Sequence, residues 1–313
     1  MRTLTSDFMG EPAGRFRVFT IAGTAVDASG RNDESAPGWL RGIFSPVDFA
    51  PGPGAVQACG GNPRKPASPP MIEVHALCKR YGEFPAVTDL SFVARPGEVL
   101  GLVGPNGAGK TSTLRCLAGI IPASSGTVRI AGHDVAADPV TAKRALAFFP
   151  DEPRLFDYLT VRQHLNFVAR VYGVADHEAL AQPLLEELEI ADKADELPGA
   201  LSRGMKQKLA IACGLLHGPK VMFFDEPLTG LDPLGIRRMK DSILKRARAG
   251  ATIVLSSHLL HLLEEVCSHV LILKKGRKIA DGSMAEVSAQ FSNGEAGVSL
   301  EEVFIRATGG SEN

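Results

Sequence analysis

The stretch Glu98-Val99-Leu100-Gly101-Leu102-Val103-Gly104-Pro105-Asn106-Gly107-Ala108-Gly109-Lys110-Thr111-Ser112 decides how this chain is read. An apolar run short enough for a buried strand leads into a glycine-rich loop. A helix-compatible run follows, with Leu114, Leu117, Ile120 and Ile121 spaced toward a core. From Gly104 to Thr111 the loop fits G-x-x-x-x-G-K-[ST] without a mismatch. Such a loop must wrap a phosphate chain and aim backbone N–H groups at it, and side chains in place of its glycines would block that approach. Pro105, Asn106 and Ala108 fill the rest of the cradle, and Ser112 follows in the first helical turn. Lys110 can set a point charge between the β- and γ-phosphates, Thr111 offers a hydroxyl to Mg²⁺, and the helix N-terminus adds partial positive charge. The expected ligand is a nucleoside triphosphate.

The totals bound the rest. A chain of 313 residues holds one large domain or two modest ones. A net charge of −1 supplies no global basic field for nucleic acid or an anionic membrane surface. The cysteines (Cys59, Cys78, Cys116, Cys213 and Cys267) are odd in number, scattered, and form no C-x-x-C. A reduced cytoplasm is therefore expected rather than a disulfide framework. No run approaches the ~18 consecutive apolar residues of a membrane span, and no apolar signal segment opens the chain.

Residues 1–70 are rich in Gly and Pro and show no sustained period, so a disordered extension is expected there. Met71, a candidate native start, begins the patterned region. Ile72, Val74 and Ala76 alternate as a strand, and Lys79-Arg80-Tyr81-Gly82 places an aromatic on a turn. Leu90, Phe92 and Val93 suggest a second strand, Thr127–Ile130 and Ala145–Phe149 two more. From about 154 to 200 the pattern is helical: Thr160-Val161-Arg162-Gln163 fits a capping box and Gly173 a stop, while Pro183 should kink the next helix or shift its start. Lys220–Glu226, Thr252–His258 and His269–Leu273 read as strands. The basic turn Lys274-Lys275-Gly276-Arg277 suggests a hairpin, and Ser299-Leu300-Glu301-Glu302 one more capping box. Strands alternating with helices imply a mostly parallel sheet with chemistry at the strands' carboxyl ends.

Asp225 and Glu226 close a run of apolar residues. A carboxylate there can hold Mg²⁺, and its neighbour can orient or deprotonate an attacking water. Upstream stands Leu201-Ser202-Arg203-Gly204-Met205-Lys206-Gln207. With this segment the chain resembles the ATP-binding subunits of ABC transporters, from about Met71 to the end of the hairpin. Tyr81 resembles the A-loop aromatic that stacks on adenine, Gly104 to Thr111 the Walker A loop, and Leu201 to Met205 the signature. Phe223 to Glu226 resembles the end of the Walker B strand, Thr229-Gly230-Leu231-Asp232 the D-loop, and His258 the switch histidine.

The resemblance implies an α/β fold: a phosphate-loop NTPase (RecA-like) core with a mainly parallel sheet, an N-terminal antiparallel β part and an inserted α-helical subdomain. The ATPase domain would run over 71–283, with the helical insertion at about 152–204 and a short C-terminal helix and tail over 284–313. It implies ATP and Mg²⁺ as ligands, with Glu226, His258 and Lys110 catalytic and Thr111, Asp225 and Asp151 toward the metal. Two such domains would meet head to tail, Ser202 and the N–H of Gly204 contacting the γ-phosphate across the interface. The expected partners are an integral membrane permease and a second copy or similar subunit, with no nucleic acid, on the cytoplasmic face of the membrane. The signature looks more like exporter subunits of the ABC-2 type than like importers.

Two departures from the family pattern stand out: Asp151 where Gln is frequent, and, within the signature, Arg203 and Met205 where many members have Gly and Gln. ATP turnover is expected to survive both. Two other readings compete. A soluble ABC-type ATPase acting on ribosomes or nucleic acid would usually carry two cassettes or a long coiled coil, neither found here. A regulatory module that clamps ATP without turnover is opposed by Glu226 and left open by Asp151, and an ATPase assay separates the two.

Overall fold

The computed structural model describes residues 68–229, 231–291 and 298–309. The expected disordered extension lies outside the described residues up to 67, as do Gly230 and the tail beyond 309.

In chain order the elements are β1 (Ile72–Tyr81), β2 (Phe84–Ala94), β3 (Val99–Val103), α1 (Lys110–Leu117), β4 (Ser125–Ile130), β5 (His133–Asp134), α2 (Pro139–Arg144) and β6 (Leu146–Phe149). They continue with α3 (Val161–Tyr172), α4 (His177–Glu187), α5 (Arg203–Leu215), β7 (Val221–Asp225), α6 (Pro233–Arg248), β8 (Thr252–Ser256) and α7 (Leu260–Val266). The last are β9 (His269–Lys274), β10 (Arg277–Ser283), α8 (Met284–Phe291) and α9 (Leu300–Thr308). One sheet has the order β10-β9-β3-β8-β7-β6, the other β2-β1-β4-β5. In the first, β9, β3, β8, β7 and β6 run parallel and only β10 is antiparallel. The second is antiparallel throughout. The chain is thus an α/β protein with a phosphate-loop NTPase core, a mainly parallel sheet and an antiparallel β part.

The parallel sheet is buried on both faces, which is why its strands are unbroken apolar runs rather than alternating ones. Leu100 and Leu102 of β3, Phe223 of β7 and Leu271 of β9 point into one core, shared with β1, β2 and α1. Their neighbours Val99, Val103, Phe224 and Ile272 point into the other, shared with α3 to α9. In that second core Phe149 stacks on Phe224 at 4.3 Å. Burying one such ring contributes about 2–3 kcal/mol. Gly214 of α5 lies beneath Phe149, where an added Cβ would sit 2.3 Å from the ring, so this glycine lets the helix seat against β6.

Local signals mostly place the elements as read. Thr160 and Gln163 form the reciprocal cap of α3, and Gly173 ends it in the left-handed region. Ser299 caps α9 by accepting from the N–H of Glu302. Two details differ. Tyr81 is the last residue of β1, not a turn residue, because β1 and β2 continue pairing to Tyr81–Phe84 and leave only Gly82 and Glu83 to turn. Pro183 lies inside α4, so it does not shift the start of that helix. Among the described residues no helix is long and apolar enough to cross a membrane.

Candidate active site

β3 delivers the glycine-rich loop at its carboxyl end and α1 leaves from it. The turn closes when the N–H of Ala108 bonds the carbonyl of Pro105 at 3.0 Å, and the loop is pinned from outside by the N–H of Gly276, which donates to Ala108 at 3.0 Å. Gly107 and Gly109 have φ of +76° and +102°. Sequence reasoning assigns the glycines to phosphate access. The structure adds a nearer cause: a Cβ on Gly109 would stand 2.4 Å from the Ala86 carbonyl oxygen, and one on Gly104 2.5 Å from that of Leu273. The loop is squeezed against the protein behind it before any ligand arrives.

Gly109 caps α1 without a side chain, so no side chain occupies the amides of the first turn. Uncapped N-terminal amides form an anion site. Lys110 folds back over the loop, its Nζ donating to the carbonyls of Gly104 (2.6 Å) and Pro105 (3.3 Å). Burial pulls its pKa below the ordinary lysine value, against the opposing pull of the Glu226 and Asp225 carboxylates. Beside the loop, the Tyr81 hydroxyl lies 3.4 Å from Ser112 Oγ, and Lys79 Nζ stands 4.9 Å from the tyrosine ring centre. About half of Tyr81 (48 %) remains exposed.

The acidic end of β7 comes against this loop because β8 alone separates β7 from β3. Asp225 is buried, and its Oδ1 accepts from Thr111 Oγ1 at 3.2 Å and from Ser256 Oγ at 2.8 Å. Glu226 has φ +54°, a left-handed backbone that costs a non-glycine residue about 1–2 kcal/mol. It is held there by its N–H, which donates to the carbonyl and the hydroxyl of Ser256, both at 3.2 Å. Its Oε2 accepts from the His258 N–H at 3.2 Å and meets His258 Nδ1 at 2.8 Å. An ionised carboxylate only accepts, so this contact puts a proton on Nδ1. Ser256 bonds both acids, a role that the motifs of the sequence do not single out. Its signal was a hydroxyl ending the apolar run Ile253-Val254-Leu255, where another apolar residue would fit the pattern.

Ser202, Gly204 and Asp151 lie on the other side of the sheet's order. Ser202 caps α5 and accepts from the Met205 N–H at 3.3 Å. That helix rests on β6, the edge strand, three strand spacings or roughly 14 Å from β3. Asp151 pairs with Arg203, Nη2 to Oδ1 at 3.4 Å. Past β7, the Thr229 N–H bonds Glu226 and Asp232 caps α6 through the N–H of Gly235. The structure therefore gathers Lys110, Thr111, Asp225, Glu226 and His258, with Tyr81 and Ser112 at one flank. Ser202 and Gly204 belong to a second surface.

The family described as "ABC transporter" matches residues 87–229. The chain is 32% identical over 240 residues to the ABC-type transporter ATP-binding protein EcsA of Bacillus subtilis, covering 76% of this chain and 96% of that protein. It is 39% identical over 214 residues to Nod factor export ATP-binding protein I of Burkholderia thailandensis, covering 68% and 70%. A solved structure described as the ATP binding subunit of an ABC transporter superposes with a TM-score of 0.72 at 34% identity, over 76% of this chain and 99% of that one.

Proposed function

This chain belongs to the ABC transporter family, and we propose that it works as one of two ATPase subunits whose closure on ATP drives a separately encoded membrane permease. It is an ATP-binding subunit, and members of the family are ATPases. The observation that carries the finer reading is the strand order. The Ser202–Gly204 turn opens α5, which packs on edge strand β6, and β6 lies three strand spacings, roughly 14 Å, from β3, the strand that carries the loop. A second copy or similar subunit, placed head to tail, supplies the missing half of each site.

In that closed state the amides of α1 and Lys110 bind the β- and γ-phosphates, and Tyr81 stacks on the base. Thr111 and Asp225 fit Mg²⁺, since hard oxygen donors converge within 3.2 Å on a buried carboxylate that Ser256 already orients. They would hold the ion, with Asp151 the third candidate, and the ion would neutralise phosphate charge. Glu226 takes a proton from the attacking water as the new O–P bond forms and the bond to ADP breaks. His258 holds Glu226 in place from two atoms. The ATPase domain would span 71–283, with its helical insertion at about 152–204; beyond it stand two helices, α8 and α9, where the sequence suggested one.

The permease would dock beside Asp151. A few residues further along the chain Phe156 packs edge-on against Phe167 at 5.2 Å, yet Phe156, Phe167 and Tyr158 all remain exposed, apolar surface suited to a protein partner. The chain would then sit on the cytoplasmic face of the membrane through that partner. The name of the Nod factor export relative supports export as the direction.

The test is a pull-down of tagged Glu226→Gln from detergent-solubilised membranes with Mg²⁺-ATP. Stoichiometric recovery of a polytopic membrane protein with a dimer of this chain is expected. Recovery of soluble partners alone would overturn the transporter reading.

A further inference from the structure

Asp151 and Arg203 are 52 positions apart in the chain and 3.4 Å apart in space. One helical turn beyond Arg203, the buried Gln207 donates from Nε2 to the carbonyl of Pro150 at 3.3 Å. Residues four apart share a helix face. One face of α5 therefore grips two consecutive residues, Pro150 and Asp151, just where the chain leaves β6. Ser202 and Gly204 flank Arg203 directly.

The electrostatic setting explains why the pair is an ion pair. β6 and β7 run parallel with Phe149 opposite Phe224, so Asp151 and Glu226 each lie two residues beyond that pair. The sheet's carboxyl edge thus carries Asp225, Glu226 and Asp151 together. A third carboxylate beside a site for phosphates repels both its neighbours and the ligand unless a cation accompanies it. Arg203 is that cation. Both side chains are about half exposed (59 % and 45 %), so the pair adds little to the stability of the fold.

We infer that Arg203 is a positioning residue that acts through Asp151. Together with Gln207 it clamps the exit of β6, neutralises Asp151, and sets the Ser202–Gly204 turn relative to the acids of β7. The role in turnover rests on the two-subunit reading above, whereas the clamp itself is a property of the single chain.

The experiment is a double-mutant cycle on the full chain with Asp151→Asn and Arg203→Gln, read in two ways. Hydrogen exchange without nucleotide or Mg²⁺ tests the clamp. Asp151→Asn is expected to speed exchange of the amides from Met205 to Gln207 about three-fold or more, leaving those of Thr111 to Leu114 unchanged. Steady-state ATPase then tests the role. Arg203→Gln is expected to lower kcat about five-fold with KM within two-fold, Arg203→Lys to keep most of the rate, and the double variant to be no worse than Arg203→Gln alone. Unchanged exchange in Asp151→Asn would overturn the clamp. Altered exchange with losses that multiply in the double variant would overturn the coupled role. Failure of Glu226→Gln to dimerise on ATP, with altered exchange intact, would strike the two-subunit reading and leave the clamp standing.

Discussion

His258 meets a single oxygen of Glu226 with two of its own atoms, the backbone N–H at 3.2 Å and Nδ1 at 2.8 Å. A carboxylate held this way has one oxygen occupied by His258, and in the proposed reaction the other would face the attacking water. If Glu226 is the base, as proposed, Glu226→Gln is expected to lower kcat by about 10²–10⁴ while ATP binding persists, because Gln keeps the shape and cannot take the proton. His258→Ala should lose less, about 10–100-fold, since it orients rather than accepts the proton. Phosphate release at saturating ATP, alongside equilibrium nucleotide binding, checks both. Turnover near wild type in Glu226→Gln would remove it as the base.

Ser256 bonds Asp225 and the backbone of Glu226 from one hydroxyl. Its loss leaves a buried carboxylate short of one donor, at a cost of about 1.5–3 kcal/mol. Ser256→Ala should shift urea unfolding by that amount and raise the Mg²⁺ concentration needed for half-maximal ATPase. Equal Mg²⁺ dependence in both proteins would mean that Ser256 only packs.

Gly107 and Gly109 share a positive φ but not a neighbourhood. An added Cβ at Gly107 meets nothing within 4 Å, whereas at Gly109 it meets the Ala86 carbonyl at 2.4 Å. Gly107→Ala should cost only the backbone strain, about 1–2 kcal/mol. Gly109→Ala must also push the loop off β2, so a larger loss of stability and of ATP affinity is expected. Thermal melts and nucleotide titrations of the two variants give the comparison; equal losses would count against the squeeze behind the loop.

Tyr81 is tied to Ser112 by its hydroxyl and offers an exposed ring beside the loop. If the ring stacks on the base, Tyr81→Ala should weaken ATP binding by about 1 kcal/mol, or some five-fold, and Tyr81→Phe should keep most of it. Equal weakening in both would assign the effect to the hydroxyl.

Glu187 of α4 joins the helical layer to α6. Burial raises its pKa, but hydrogen bonds from Arg246 (2.7 Å), Lys245 (3.0 Å) and Ser242 (2.8 Å) more than offset this and bring it down to about 2. A carboxyl whose folded pKa is depressed stabilises the fold above its unfolded value of 4.5, and that contribution disappears as pH falls toward 2. After allowance for solvent screening it amounts to about 1–2 kcal/mol. Glu187→Gln should be less stable by that amount at pH 7, and the gap should close between pH 4.5 and 2. A gap independent of pH would show that shape, not charge, was lost.

Most of the framework was legible before any coordinates. The phosphate loop, the reciprocal cap of α3, the αL stop at Gly173 and the hairpin after β9 each depend on a few consecutive residues. Asp225 and Glu226, at the end of β7, are legible because polar residues closing an apolar run break its pattern. Ser256 breaks the pattern of β8 in the same way but more quietly, with one small hydroxyl. The local sequence suggests a turn at Tyr81 because nothing local shows that β1 and β2 pair down to their last residues.

The sequence by itself determined most of the strands and the helices α1, α3, α4 and α9, where the loop for phosphates lies, and which side chains were candidates to serve it. Those are matters of periodicity and steric freedom within one turn or one strand. Only the tertiary structure decided that Ser256 would link the two acids, that Asp151 would find Arg203, and that α5 would rest three strands from β3. These follow from strand order and from the packing of rings such as Phe149 on Phe224. Such long-range contacts come from burying both faces of one sheet, and no short stretch of sequence contains them.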